Sequence, residues 1–223
     1  LVFGLTSALW LLIRQPETLP SEARTPLEPA RLWAAMLEVL GHRRVILYLV
    51  AVCFSFAPMF VWLSSVSLIF DETFGRGAEF PYWFALVALL TAPASLLNAW
   101  VVVRFGMQRM ILIALLVQIS VALAMLALLR LGPNEAVAFA AFIAFMTVHF
   151  FCVGLLFGNL NALALEPLGH VAGMASSILG GVSSVAAALI AMPIAAAFDG
   201  TPAPLAMGAV GCAVISLVCM LIG

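Results

Sequence analysis

Residues 45–70 read VILYLVAVCFSFAPMFVWLSSVSLIF, with no charged side chain among them. A hydrocarbon core about 30 Å thick is crossed by roughly 20 apolar residues in helical form, so Val45–Phe70 is long enough to span a bilayer unaided. Five further runs of the same kind follow: Phe80–Val103, Met110–Leu129, Ala136–Leu160, Val171–Phe198 and Pro204–Ile222. Within lipid no water is available for open backbone groups, so each run must be a helix or belong to a closed barrel. Barrel strands need segments of about ten residues that alternate in polarity, and none of the six runs alternates. Six spanning helices are therefore expected, joined by short connections that make neighbours antiparallel. Pro58 and Pro193 lie inside spans and are expected to kink them.

Composition agrees. Of 223 residues 65% are hydrophobic and 9% charged, with a mean hydropathy of +1.23, against roughly 25% charged in a soluble domain. A net charge of −1 offers no basic patch for nucleic acid. The four cysteines, Cys53, Cys152, Cys212 and Cys219, sit inside apolar runs at spacings that match no zinc or redox motif, and read as small buried hydrophobes. His42, His149 and His170 are too scattered for a metal cluster, and no cofactor is expected.

The ends read differently. Leu1–Ile13 is apolar without a positively charged leader, unlike a secretory signal, and is expected to be the tail of a preceding span. Residues 14–44 turn polar, with Pro16, Pro20, Pro26 and Pro29 holding the first part extended or turning. Leu32, Met36, Val39 and Leu40 then form a stripe at helical period, which suggests a short helix over Ala30–Leu40 lying on the membrane surface. Alternate connections hold Arg14, Arg24, Arg31, Arg43, Arg44, Arg104 and Arg109, while the opposite set holds Arg76 and Arg130. The positive-inside rule then places residues 14–44 and the C-terminus in the cytoplasm, and Asp71, Glu72, Glu79, Glu135 and Asp199 outside.

Several stretches carry a family resemblance. Arg104-Phe105-Gly106-Met107-Gln108-Arg109, between the second and third spans, resembles the degenerate second copy of the major facilitator loop motif. There a glycine permits a tight reversal, and arginines can meet acidic groups or helix C-termini. The run NLNALALEPLGHVAG at 159–173 looks like the corresponding loop of exporters of the bicyclomycin-resistance (Bcr/CflA) type, and PETLP at 16–20 resembles the start of that family's central cytoplasmic loop. SLLNA at 95–99 and FDGT at 198–201 fit the same pattern. The resemblance covers essentially the whole chain. It implies an all-α membrane fold, the C-terminal six-helix half of a twelve-helix major facilitator transporter built from two inverted three-helix repeats. Residues 1–13 would end helix six, 14–44 would be the central loop, and 45–223 would form the six-helix bundle. It further implies a proton-driven exporter in a bacterial cytoplasmic membrane whose partners are the lipid bilayer, protons, a small hydrophobic substrate and a missing N-terminal six-helix half. The family's coupling acids often lie in that missing half.

Within this frame His149 is the only ionisable residue deep in a span. At that depth such a group is costly and by default functional, and its near-neutral reference pKa suits proton exchange. The resemblance puts its helix along a central cavity. Its alternative role is a neutral imidazole bonded to a neighbouring helix. Met59 and Trp62 beside Pro58, with Met146 and Phe150, would suit loose recognition of apolar cargo, or else face lipid and neighbouring helices. Ser176, Gly180, Ser183 and Ala187 recur at helical spacing, as a close-packing surface or one along which two halves slide. Glu166, Pro167, Gly169 and His170 mark a turn between two helices, structural or gating, and Gly173 just after it belongs with gating or helix packing. Asn98 and Gln118 need hydrogen-bond partners, and interhelical bonding is expected of Gln118.

Other classes fit less well. A carrier for a specific polar metabolite would need more charged or amide groups at mid-depth than His149 and Gln118. An intramembrane serine hydrolase would need a nucleophile with a base and an oxyanion site, yet Gly-x-Ser-x-Gly is not completed at Gly181 and Ser183. A non-transporting membrane scaffold has no need of a buried histidine or of helix-breaking prolines.

Overall fold

The computed structural model describes residues 2–14, 33, 36–37 and 41–223, the His170 side chain excepted. Its eight α-helices among these residues are α1 (Val2–Arg14), α2 (Arg43–Leu68), α3 (Phe80–Thr91), α4 (Pro93–Phe105), α5 (Met107–Arg130), α6 (Glu135–Leu165), α7 (Ala172–Ala196) and α8 (Ala203–Ile222). Helix α1 belongs to one unit, Leu1–Ala34, and all the others to a second, Ala35–Gly223. The surface helix expected over Ala30–Leu40 falls outside the described residues apart from Trp33, Met36 and Leu37, which are helical.

Six helical stretches among the described residues are long and apolar enough to cross a membrane, as the charge-free runs foretold. Their limits are set by local chemistry. A π-helical turn at Ile69–Thr73 carries the first span as far as Thr73. At the start of α6 the Asn134 side chain accepts the Val137 N–H at 2.9 Å, an N-cap for an otherwise open helix end. Between α4 and α5 the chain reverses at Gly106, whose φ of 81° would strain any residue with a Cβ. The second span is divided at Ala92 into α3 and α4 by the one hydrogen bond that Pro93, lacking an N–H, cannot make. Ala92 itself keeps helical angles (φ −51°, ψ −39°), and Gly77–Phe105 runs on as one helical stretch. Helix α2 likewise runs on through Pro58, and Pro193 lies in the last turn of α7.

Side-chain packing orders the six spans in two layers. One joins Val45, Leu49 and Val52 of α2, Ile111 and Leu115 of α5, Leu156 and Leu160 of α6, and Leu179 of α7. The other joins Trp62 and Phe70 of α2, Met125 of α5, Phe139, Phe142 and Phe145 of α6, and Leu205 of α8. Ala57, Ala187 and Cys212 meet between them. The first half of α2 and of α5 therefore lies level with the second half of α6, so α2 and α5 run one way and α6 the other.

The neighbour pattern shows two repeats. Helix α2 packs on α7 as α6 packs on α3 and α4, and α5 packs on α6 as α8 packs on α2. Two further pairs, α2 with α6 and α5 with α8, map onto themselves when the first three spans are exchanged for the last three. Since each repeat has an odd number of crossings, the second enters from the opposite side, an inverted repeat.

At the end of the bundle rich in acidic residues, the connections are tied together. Thr73 Oγ1 donates to the Gly200 carbonyl at 2.8 Å. Arg76 approaches Glu79 at 3.7 Å and Glu135 at 3.9 Å, and its guanidinium lies 4.4 Å from the Phe139 ring centroid.

Candidate functional site

Phe142 is followed by Phe145 and Met146 at three and four residues, and these by His149 at four and three, which puts them on one side of α6. That face meets Trp62 of α2, one turn beyond Pro58. The Trp62 ring centroid lies 5.4 Å from Phe142, 5.2 Å from Phe145, 5.9 Å from His149 and 6.0 Å from Phe150. His149 is also 6.3 Å from Phe145 and 6.0 Å from Phe150. The result is an aromatic box around an imidazole. Trp62 is wholly enclosed and His149 is only 1% exposed.

The box is aromatic yet holds polar atoms. Trp62 Nε1 and both His149 ring nitrogens have no hydrogen-bond partner among the described residues. The His149 backbone carbonyl does have one, accepting from Gln118 Nε2 of α5 at 3.4 Å. That is the interhelical bond expected of Gln118. Every Asp and Glu of the chain lies outside the six apolar runs, so none of these six spans itself offers the imidazole a carboxylate.

The residues singled out from sequence are thus partly brought together. Trp62, Met146, His149 and Phe150 assemble; Met146 is buried and Phe150 half-buried, while Met59 is half-buried one turn before Trp62. Arg104, Gly106 and Arg109 form a separate exposed turn in which the Gly106 N–H donates to Val102 O at 2.8 Å. Among the described residues neither arginine makes an ion pair; Arg104 instead lies 5.7 Å from the centroid of its neighbour Phe105.

Glu166, Pro167 and Gly169 are exposed on a 3-10 turn, Glu166–Val171, which the fully buried Leu168 anchors. The small-residue stripe of α7 divides: Ser183 and Ala187 are buried, while Gly173, Ser176 and Gly180 are exposed. Its hydroxyls turn back on their own helix. Ser176 and Ser177 donate to Gly173 O at 2.9 and 3.0 Å, and Ser183 and Ser184 to Gly180 O at 3.2 and 2.8 Å. Ser183 is accordingly engaged with backbone rather than with a base.

Two polar contacts were not foreseen. Asn159 Nδ2 donates to Asn98 Oδ1 at 2.7 Å and to Leu155 O at 2.8 Å, linking α6 to α4. Beside this pair Gly154 lets the helices close: a Cβ there would sit 2.9 Å from the Ala94 Cβ. Ser55 Oγ donates to Ser216 Oγ at 3.1 Å, which donates in turn to Ala51 O at 3.0 Å, linking α2 to α8. A solitary Asn in an apolar run was the available signal for the first; no residue type marks the second.

Six apolar helices in two inverted three-helix repeats, with a buried histidine at mid-span, define a multi-pass membrane protein of transporter architecture. A family model described as MFS/sugar transport protein matches residues 1–166. A bicyclomycin resistance protein homolog of Haemophilus influenzae is 30% identical over 218 residues, which cover 96% of this chain and 53% of that protein. An uncharacterized MFS-type transporter of Bacillus subtilis is 24% identical over 215 residues, 94% of this chain and 51% of that one. No solved structure matches. The chain belongs to the major facilitator superfamily, with the fold of one six-helix half, and spans about half the length of the curated relatives it matches.

Proposed function

We propose that this chain is the C-terminal half of a secondary active transporter that exports small hydrophobic compounds or drugs in exchange for protons. The observation that carries the reading is the aromatic box of Trp62, Phe145 and Phe150 around His149, backed by Phe142 on Trp62, since aromatic surfaces suit cargo with little polarity. The printed name of the Haemophilus influenzae relative, a bicyclomycin resistance protein homolog, supports drug efflux. His149 is the proton-exchanging group within the span. Met59 extends the box, and the exposed α7 face at Gly173, Ser176 and Gly180 meets the N-terminal half. The arginine imbalance puts the Arg104–Arg109 turn, residues 14–44 and the C-terminus on the cytoplasmic side of a bacterial inner membrane. Residues 1–13 close the preceding helix.

The test is efflux of the neutral dye N-phenylnaphthylamine from cells expressing the full-length protein. Efflux on energisation should exceed that of cells carrying the empty vector and should stop when a protonophore is added. Equal rates in both strains would refute the export reading, and efflux indifferent to the protonophore would refute proton exchange.

A further inference from the structure

The only buried side-chain nitrogens and oxygens left without a partner among the described residues are Trp62 Nε1, His149 Nδ1 and His149 Nε2. They belong to two rings whose centroids lie 5.9 Å apart. Elsewhere in the bundle such groups are closed by protein atoms, as at Ser55, Gln118, Asn159 and Ser216. A concentration of unsatisfied polar atoms at one spot calls for an explanation, and a cost incurred nowhere else among the described residues marks a place that a group outside this chain completes.

The chemistry of that completing group follows from the two rings. Indole Nε1–H only donates, whereas an imidazole carrying one proton has one donating and one accepting nitrogen. A hydroxyl matches both rings at once: its oxygen accepts from Trp62 and its proton goes to the accepting nitrogen of His149. A cation held on the ring faces would leave the three nitrogens as they are, and with no Asp or Glu inside the six apolar runs it would have no counter-charge from these six spans. Phe150 lies against both rings, 6.0 Å from Trp62 and 6.0 Å from His149 at 87° to the imidazole, and also packs on Phe84 at 6.1 Å. It is half-buried where Trp62, Phe145 and His149 are buried, the more exposed member of the cluster.

We propose that Trp62 and His149 form a recognition site for a neutral aromatic compound bearing a hydroxyl group. The site deepens the export reading, on which its role as a cargo site rests, by naming the class of cargo. The test compares binding of 2-naphthol and naphthalene to the full-length protein in lipid nanodiscs, by equilibrium dialysis against nanodiscs without protein. 2-Naphthol should bind about tenfold more tightly, the equivalent of one good hydrogen bond at about 1.4 kcal/mol. Trp62→Phe and His149→Leu should each abolish that preference while keeping naphthalene binding, and His149→Gln, with a donor and an acceptor, should keep it. In the unmutated protein the Trp62 indole N–H resonance should move downfield with 2-naphthol and not with naphthalene, a reading that needs no variant to fold.

An unmoved indole resonance, equal binding of the two probes, or a preference that survives both substitutions would overturn the site. So would tighter binding of benzyltrimethylammonium that the same substitutions remove, since the box would then be a cation cage. Dye efflux separates the two readings: an intact naphthol preference without energised efflux sinks export alone, and the reverse pattern sinks the site alone.

Discussion

The two core layers are built from the same helices, yet their chemistry differs. Toward the arginine-bearing turns the layer is aliphatic, with Val45, Leu49, Ile111, Leu115, Leu156 and Leu160, and its polar groups are closed in pairs, Asn98 with Asn159 and Ser55 with Ser216. Toward the acidic end it is aromatic, with Trp62, Phe70, Phe139, Phe142 and Phe145, and the polar atoms at its edge, on Trp62 and His149, are open. Closed polar pairs fix helix register, because separating them leaves donors and acceptors stranded in an apolar medium. Open ones add no such bond, so the contrast is between polar groups that tie helices together and polar groups that do not.

The largest effect should come from breaking the close approach in the aliphatic layer. In Gly154→Ala the new Cβ would meet Ala94 Cβ at 2.9 Å, so α4 and α6 must move apart and stretch the asparagine pair. Overpacking of this kind costs about 1–3 kcal/mol, read as a loss of stability in equilibrium unfolding from mixed micelles. Adding Ala94→Gly should restore most of it, a coupling that independent sites do not show. An unchanged unfolding curve for Gly154→Ala would mean that this layer does not hold register.

Next in size is the pair itself. Asn159→Leu should cost about 1 kcal/mol, in the range of interhelical hydrogen bonds in lipid, since Asn98 loses its partner. A double-mutant cycle with alanine at positions 98 and 159 should give a coupling energy of the same sign and size. Zero coupling would make the two side chains neighbours rather than a clamp.

The open groups should behave oppositely. Replacing an unpartnered polar side chain with an apolar one of similar size is near neutral or stabilising. His149→Leu should therefore leave stability within about 1 kcal/mol of the unmutated protein, or above it, while 2-naphthol binding falls. If His149→Leu destabilised the fold as much as Gly154→Ala, the imidazole would be a building element and the contrast between the layers would collapse.

How much of this could be read from the chain follows from the range of each interaction. The six spans were legible because a run such as Met110–Leu129 has no charge, and membrane crossing depends on composition within one run. The depth of His149 was legible for the same reason. That its ring lacks a partner was not, since partners would come from α2 and α5, whose rotation against α6 no single run encodes. Asn98 advertised a need, but its answer lay 61 residues away, in register set by Gly154. The bond missing at Pro93 is local and follows from its absent N–H, and the helix continues through it. The stripe on α7 was real in spacing yet divided by packing, because Ser183 and Ala187 meet neighbouring helices and Ser176 and Gly180 do not.

The smallest effect should come from a closed polar group that sits in water. In the turn between α7 and α8 the Asp199 carboxylate accepts the Thr201 hydroxyl at 2.6 Å and the Thr201 N–H at 3.0 Å. The Thr201 hydroxyl, the larger cause, and the backbone amide hold its carboxyl below the ordinary aspartate value. A carboxyl depressed in the folded state adds stability that is present above its unfolded pKa and lost as pH falls through the lower, folded one. Because the group is fully exposed, that contribution is screened by solvent, and it should be visible mainly in the titration itself. Thr201→Val keeps the side-chain shape and removes the hydroxyl, so the Asp199 carboxyl carbon, followed by NMR, should titrate at higher pH. The unfolding transition at neutral pH should barely move. The Thr201 hydroxyl bond to Asp199, at 2.6 Å, is as short as the 2.7 Å bond joining Asn98 to Asn159, so the two substitutions compare similar geometry in different surroundings. A destabilisation by Thr201→Val as large as that of Asn159→Leu would show that geometry alone sets the cost, and the distinction drawn from burial in an apolar medium would fail.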